Sequence, residues 1–501
     1  MDIKYKKTSL TWVWITATVI FCALFTFALI PAASAQVNPP VGIAQPSGTQ
    51  SQMRSYYNTI QRVFDFIINH YVEEVDPNVL FEGAMSGMFN ALEDPYSSFL
   101  TESDMIDLNN TTHGEFGGVG LNITKAVSPR PDGKPMWVEV ASPIEDTPGW
   151  KAGIHPGDFI TEIDGIPTET ITMDEVLGIL RGTPGESVRL VIRRGERMEF
   201  PLTIIRAIIE VPTVKHAMIG DTGYLKLITF TPMTADRARE AINEFRGKNY
   251  KNMILDLRYN YGGRLDSAIE VANLFLDGGL VVRIRSRIPS ENRDFNARRL
   301  GRIVPADIPV VVLINRGSAS ASEIVAGALK DHGRAYLVGE KTFGKGSVQQ
   351  VYPLSAAGFK ITTARYFTPS DVNIDKVGIP PDHEIKFPEF TEEETDGFNR
   401  LINDNRIPSH VEQNPQMTSA NVDSFARTLE QEYGLSQSLL KRLIRNEMNR
   451  TTIAPVYDLE YDIQLQEALN ILRGGNYQNL LRNAKSLRDI QQEAEETALV
   501  R

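Results

Sequence analysis

IPVVVLINRGSASASEIVAGALKDHGRAYLVGEKTFGKGSVQQVYPL, residues 308–354, is the stretch whose reading decides the fold. It reads as strand, tight turn, helix, strand, loop and strand. Residues 309–314 form a continuous apolar run rich in valine, of the kind buried inside a parallel sheet. The string of small residues at 317–322 marks a turn where backbone packs closely. Ile324, Val325, Ala328 and Leu329 then supply the stripe of a helix laid on that sheet. Ser320 therefore falls at the helix N-terminus, where free N–H groups and the positive end of the helix dipole would stabilise an oxyanion. A nucleophile belongs there, and its hydroxyl needs a base. His332 lies beyond the far end of the helix, roughly 18 Å away at about 1.5 Å of rise per residue, and reads as a C-terminal cap. Lys345, between glycines in Phe343-Gly344-Lys345-Gly346, sits on a loop that returns toward the turn. A lysine serves as a base only if burial depresses its pKa toward neutrality. The uncharged amide of Gln349 could orient that amine without raising its pKa.

Residues 339–345 also satisfy the first seven places of a phosphate-binding GxxxxGK loop. Gly346 stands where a magnesium-binding Ser or Thr should be, and a strand-like segment follows instead of a helix, which argues against nucleotide binding.

GSASASE at 317–323 followed by GKGSVQ at 344–349 is similar to the paired motifs of the carboxyl-terminal processing proteases, also called tail-specific proteases. The resemblance extends from about residue 71 to 388. It implies a Ser-Lys dyad assisted by glutamine, with Ser320 as nucleophile, Lys345 as general base and Gln349 as its orienting partner.

At 501 residues the chain is too long for one core, and three or four domains are expected. Its 42% hydrophobic and 23% charged residues are those of a globular protein, and a net charge of −11 argues against a nucleic-acid partner. The only cysteine, Cys22, lies in the leading apolar segment, so disulfides, cysteine-ligated zinc and a thiol nucleophile are excluded beyond it. His383 has no metal-ligand spacing around it, and neither a metal nor a cofactor is expected.

Lys4, Lys6 and Lys7 precede an apolar run over about 10–30, then Pro31 and Ala33-Ser34-Ala35. Residues 1–35 thus read as an export signal leading to the cell envelope or periplasm, or as an uncleaved membrane anchor, since the run approaches a membrane span in length. Phe21 before Cys22 spoils a lipoprotein site. Residues 36–51, rich in Pro, Gly, Ser and Gln, read as a tether.

Residues 52–112 read as a helical packing region, with Met53, Ile60, Val63, Phe64, Ile67 and Tyr71 at helical spacing and a second helix over about 78–92. YVEEVDP and LEDPYSSFL resemble the family segment that couples or dimerises the parts. Residues 113–207 are strand-rich, with Gly117-Gly118-Val119-Gly120-Leu121, then SPIEDTPGWKAGIHPGDFITEIDG and a helix over 173–181. This resembles a PDZ domain. The resemblance implies that Gly118, Val119, Gly120 and Leu121 form the loop that captures a terminal carboxylate while the peptide adds as a strand. Arg181, in LRGTPGE, reads either as a sensor of the occupied domain or as a solvent-facing side chain.

Residues 208–388 alternate strand and helix, implying an α/β core with a mainly parallel sheet and a site at its strand ends. Arg258-Tyr259-Asn260-Tyr261-Gly262-Gly263 lies at such an end and resembles the family's DLRxNxGG element. That implies one oxyanion-hole N–H from Gly262 or Gly263 and another from Ala321. Tyr261 stands where relatives carry a small residue or proline, and Asp371 where glycine is usual. Asp256 and Arg258 read as a structural ion pair. Residues 389–501 are acidic, then helical, with Leu465, Leu469 and Leu472 on one face. Such an extension packs on its own protein or on a second copy, and a homodimer is expected from family precedent. The expected function is an exported serine endopeptidase acting on proteins with accessible C-terminal tails. The competing reading is a catalytically silent adaptor that binds tails.

Overall fold

The largest core is built on two sheets. In the first, six strands run in the order Val214–Ile219, Thr222–Leu227, Asn252–Asp256, Val310–Ile314, Tyr336–Gly339 and His383–Glu384. The first two form an antiparallel hairpin and every later neighbour is parallel. The second sheet is antiparallel throughout. Its order is Ser98–Leu100, Ala357–Phe367, Leu280–Ser286 and Arg293–Asn296, with Ser347–Leu354 also paired to Ala357–Phe367. The expectation of a mainly parallel core is therefore corrected to one mixed and one antiparallel sheet. The cause is local: Ser355, at φ 56°, turns the chain so sharply that residues 347–354 and 357–367 return on each other as a hairpin.

The computed structural model describes residues 47–125, 135–195, 197–386, 390–449 and 455–500. The expected export segment at 1–35 lies outside them. Among the described residues no helix is long and apolar enough to cross a membrane.

Helices Thr234–Gly247, Leu265–Asn273 and Ala321–Asp331 cover one face of the mixed sheet through Ala238, Ile242, Phe245, Val271, Val325 and Leu329. The other face is covered by the C-terminal extension. Leu465, Ala468, Leu469 and Leu472 of helix Ile463–Arg473 pack on Ile254, Val311, Leu313 and Val338. The amphipathic face read from the sequence thus closes this chain's own core. Four earlier helices, Glu392–Asn403, Arg406–Gln413, Ser419–Tyr433 and Gln437–Met448, share a separate core around Leu401, Phe425, Leu429, Leu440 and Ile444.

Between the N-terminal helices and the two-sheet region the chain forms a β-rich unit. Its antiparallel sheet orders Leu121–Lys125, Val138–Pro143, Phe159–Ile163, Ser187–Arg194 and Met198–Ile205. Helix Met173–Leu180, opened by a Thr172–Glu175 capping box, closes its core through Val176 and Leu180. The unit enters and leaves through one antiparallel pair, Glu115–Gly118 with Ala207–Glu210.

Candidate active site

Ser320 ends the turn between strand Val310–Ile314 and helix Ala321–Asp331. The turn is stitched to the facing loop at 257–262. Ser318 Oγ donates to the Leu257 carbonyl at 2.8 Å, and the Asn260 carbonyl accepts from Ala319 N–H at 3.0 Å and Ser322 Oγ at 2.8 Å. These ties leave Ser320 at φ 55°, ψ −114°, a left-handed conformation that costs a non-glycine residue about 1–3 kcal/mol. The side chain is fully buried, and its Oγ makes no hydrogen bond among the described residues.

Glu323, one turn into the helix and 0% exposed, connects this serine to the lysine loop. Its carboxylate accepts from Ser320 N–H at 2.9 Å, Gly344 N–H at 2.7 Å, Lys345 N–H at 2.8 Å and Thr342 Oγ1 at 2.5 Å. Burial pushes its carboxyl upward while those donors act in the opposite sense. Four donors suit the ionised form, which only accepts.

Lys345 is 3% exposed, and its Nζ lies over the Tyr96 ring, 4.8 Å from the centroid. Burial, assisted by the nearby Lys360 ammonium and opposed by Glu323 and Asp94, lowers its pKa to about 7. Gln349 donates both Nε2 hydrogens, to Ser347 Oγ at 2.9 Å and Thr362 Oγ1 at 3.1 Å. Its Oε1 is thus the atom it can offer to an amine. Because Ser320 Oγ has no partner, the hydroxyl and the Lys345 amine are not hydrogen-bonded to each other in this conformation.

Gly262 packs directly on the serine. A Cβ there would lie 2.8 Å from Ser320 Cβ and 3.0 Å from Ala321 N. Its N–H is committed to Asn260 Oδ1 at 2.9 Å, whereas those of Gly263 and Ala321 have no acceptor among the described residues. The loop is anchored from behind by Arg258. That guanidinium pairs with Asp256 at 2.7 Å and with Asp462 of the C-terminal extension at 2.6 and 2.7 Å, and donates to Gln464 Oε1 at 3.0 Å. Asp256 and Arg258 thus form a buried structural pair, as the sequence suggested, but with two distant partners it did not. His332 caps its helix and bonds the Leu280 carbonyl at 2.7 Å, away from the serine.

In the β-rich unit, Gly118 ends one strand, Leu121 begins the next, and Gly120 takes φ 76° between them. The carbonyls of Val119 and Gly120 accept from Gly149 N–H at 2.7 Å and Ile144 N–H at 2.9 Å. The amides of Val119 and Gly120 have no acceptor among the described residues. Arg181 is half-buried, paired with Asp107 of helix Glu102–His113 and stacked 5.4 Å from the Phe116 ring centroid. It faces another part of the chain instead of open solvent.

Sequence reasoning passed over Glu323, although its place three residues after Ser320 is where a capping carboxylate belongs. Asp462 and Gln464 carried no local signal, and Asp94 and Tyr96, within LEDPYSSFL, only a resemblance that pointed to coupling of the parts.

A serine at a strained strand-to-helix turn, a buried lysine joined to it by one carboxylate, and a separate β-rich unit with a glycine-rich loop are the features that a PDZ-containing serine peptidase would present. The comparisons agree. Residues 221–385 match peptidase family S41, residues 139–194 match the PDZ domain, and residues 19–103 match the activating protease CtpB N-terminal domain. The chain is 36% identical over 423 residues to the carboxy-terminal-processing protease of Bartonella bacilliformis, covering 82% of this chain and 94% of that one. It is 39% identical to the chloroplastic carboxyl-terminal-processing peptidase 2 of Arabidopsis thaliana, over 60% of each chain. Among solved structures, the photosystem II D1 C-terminal processing protease aligns over 67% of this chain and 86% of its own, at 31% identity and a TM-score of 0.41.

The chain is a PDZ-containing serine-type peptidase. It belongs to the carboxy-terminal-processing protease family, and the silent-adaptor reading is set aside.

Proposed function

We propose that this protein is an exported endopeptidase that binds the C-terminal tails of protein substrates through its PDZ domain and cuts them with a Ser320–Lys345 dyad. Ser320 Oγ attacks the scissile carbonyl carbon while neutral Lys345 takes its proton. The oxyanion is held by the Ala321 N–H and by the Gly262–Gly263 turn, in which the Gly263 amide is the uncommitted donor. Lys345 then returns the proton to the leaving amine, and water releases the acyl group by the same steps. Gln349 orients the amine through Oε1. The observation that carries this reading is a buried lysine tied to a helix-terminal serine through the Glu323 carboxylate, with its pKa brought to about 7, where a general base is most effective.

The unengaged Ser320 hydroxyl and the Gly262 amide held by Asn260 support a resting state that awaits a tail. The Arg181–Asp107 pair links the PDZ domain to the helix that packs beside strand Ala357–Phe367, and offers a route for that signal. Tail capture is assigned to Gly118, Val119, Gly120 and Leu121. Export rests on residues 1–35, which fit either a cleaved signal or a membrane tether. A homodimer is supported by the exposed apolar side chains Tyr56, Ile60, Val63 and Phe66 on the N-terminal helix Ser47–His70.

The test is cleavage of an unfolded, tailed protein by Ser320→Ala and Lys345→Ala. Both are expected to be inactive with unchanged folding. Retained cleavage by either overturns the assigned roles.

A further inference from the structure

The helices of the N-terminal region lead into the turn Asp94-Pro95-Tyr96-Ser97, which is carried inside the catalytic region. Strand Ser98–Leu100, immediately after it, pairs with Ala357–Phe367, placing Ser98 opposite Lys360. The turn is thereby delivered onto the hairpin that carries Gln349, Lys360 and Thr362. Thr362 N–H donates to Ser97 Oγ at 3.0 Å, Ser97 Oγ donates to Asp94 Oδ2 at 2.5 Å, and Tyr96 N–H donates to Asp94 Oδ1 at 3.0 Å. Asp94 is thus tied through Ser97 to the Thr362 backbone, and the Thr362 hydroxyl in turn receives Gln349 Nε2 at 3.1 Å. Above this network the Tyr96 ring presents its face to the Lys345 amine at 4.8 Å.

We propose that Tyr96 and Asp94 are positioning residues for the Lys345 base: the ring restrains the amine and keeps water from one side of it, and the carboxylate fixes Gln349 through Thr362. The inference rests on the Ser-Lys reading above. It makes the N-terminal region, which lies outside the stretch matched to the peptidase family, a structural part of the active site. An aromatic face suits both forms of the base. It limits hydration of the neutral amine, and it attracts the ammonium formed when the serine proton arrives. The titratable groups near the amine come from four elements. They are Glu323 on the catalytic helix, Lys360 on the hairpin, Asp94 and Tyr96 on the turn, and Asp375, whose carboxylate accepts the Gly346 N–H at 3.2 Å. Of these, Asp94 favours the ammonium and Lys360 disfavours it.

The experiment measures kcat and KM against pH for the full chain acting on a fluorogenic tailed peptide, with Lys345→Ala run in parallel. Tyr96→Ala is expected to lower kcat by about 10–100-fold with KM nearly unchanged. The acid limb of its kcat profile should move to higher pH as water returns to the amine. Tyr96→Phe, which keeps the ring, should recover the rate, while Tyr96→Leu, which keeps only apolar bulk and so preserves the fold, should not. Asp94→Asn should move the acid limb to lower pH, because a charge that favours the ammonium is gone. An unmoved acid limb in Tyr96→Ala and Tyr96→Leu, a loss confined to KM, or equal damage by Tyr96→Phe and Tyr96→Leu overturns the proposal. Failure of the underlying reading would look different, because Lys345→Ala would then itself cleave the peptide.

Discussion

Ser320 is held by its own neighbourhood in the chain and by one facing loop, whereas Lys345 is held by side chains drawn from across the molecule. On the serine side the contacts are largely backbone: Asn260 carbonyl to Ala319 and Ser322, Leu257 carbonyl to Ser318, Gly262 against the serine Cβ. The lysine lies among Glu323, Lys360, Asp94 and Tyr96, all of them side chains. The difference teaches that the geometry of the proposed nucleophile rests on a strained turn and one facing loop, while the basicity of the proposed base must be assembled from its surroundings.

Four substitutions test that contrast, the last of them by the smallest shift in stability. Gly262→Ala puts a methyl group against Ser320 Cβ and Ala321 N, at φ 106°, and should abolish turnover while leaving the distant PDZ domain able to bind a tailed peptide. Full activity in this variant would show that the serine side tolerates movement. Glu323→Gln alters the one group common to both sides. It should cut kcat by about 100-fold or more and lower stability by about 2–4 kcal/mol in denaturant unfolding, since a buried four-donor carboxylate is replaced by an amide.

Lys345→Met should abolish activity yet stabilise the fold. Between about pH 7 and 10.5 the unfolded lysine holds a proton that the buried native one does not, so the wild type loses stability as pH falls through this window. The gain on substitution should reach about 3–5 kcal/mol near pH 7 and fade above pH 10.5, read from urea midpoints at the two extremes. Ser320→Gly has the smallest effect. Relieving the left-handed strain should make it about 1 kcal/mol more stable than Ser320→Ala, both being inactive. Equal melting of the two would mean that the turn carries no strain.

The same contrast explains what could be read in advance. The serine turn was legible because its determinants are consecutive: an apolar strand, small residues and a helix stripe at 309–329. Lys345 and Gln349 were legible through the glycines that bracket the loop and the alternation after it. The antiparallel second sheet was not, because alternation over 347–354 and 357–367 is the same for either strand direction, and the turn at Ser355 decides. Asp94 and Tyr96 reach the lysine from more than two hundred positions away in the chain. Asp462 meets Arg258 across 204 positions, and no local pattern encodes such a meeting.

The Arg258–Asp462 clasp bears on the fate of the enzyme itself. Through it the C-terminal extension reaches the loop behind the proposed site. The extension is moored elsewhere too: Tyr477 hydroxyl bonds both the N–H and the carbonyl of Val310, and Leu487 N–H donates to Asp331 at the foot of the helix that Ser320 opens. Removing the extension at or before Asp462 would strip the support from the proposed oxyanion turn, so the extension is a condition of activity and not an appendage.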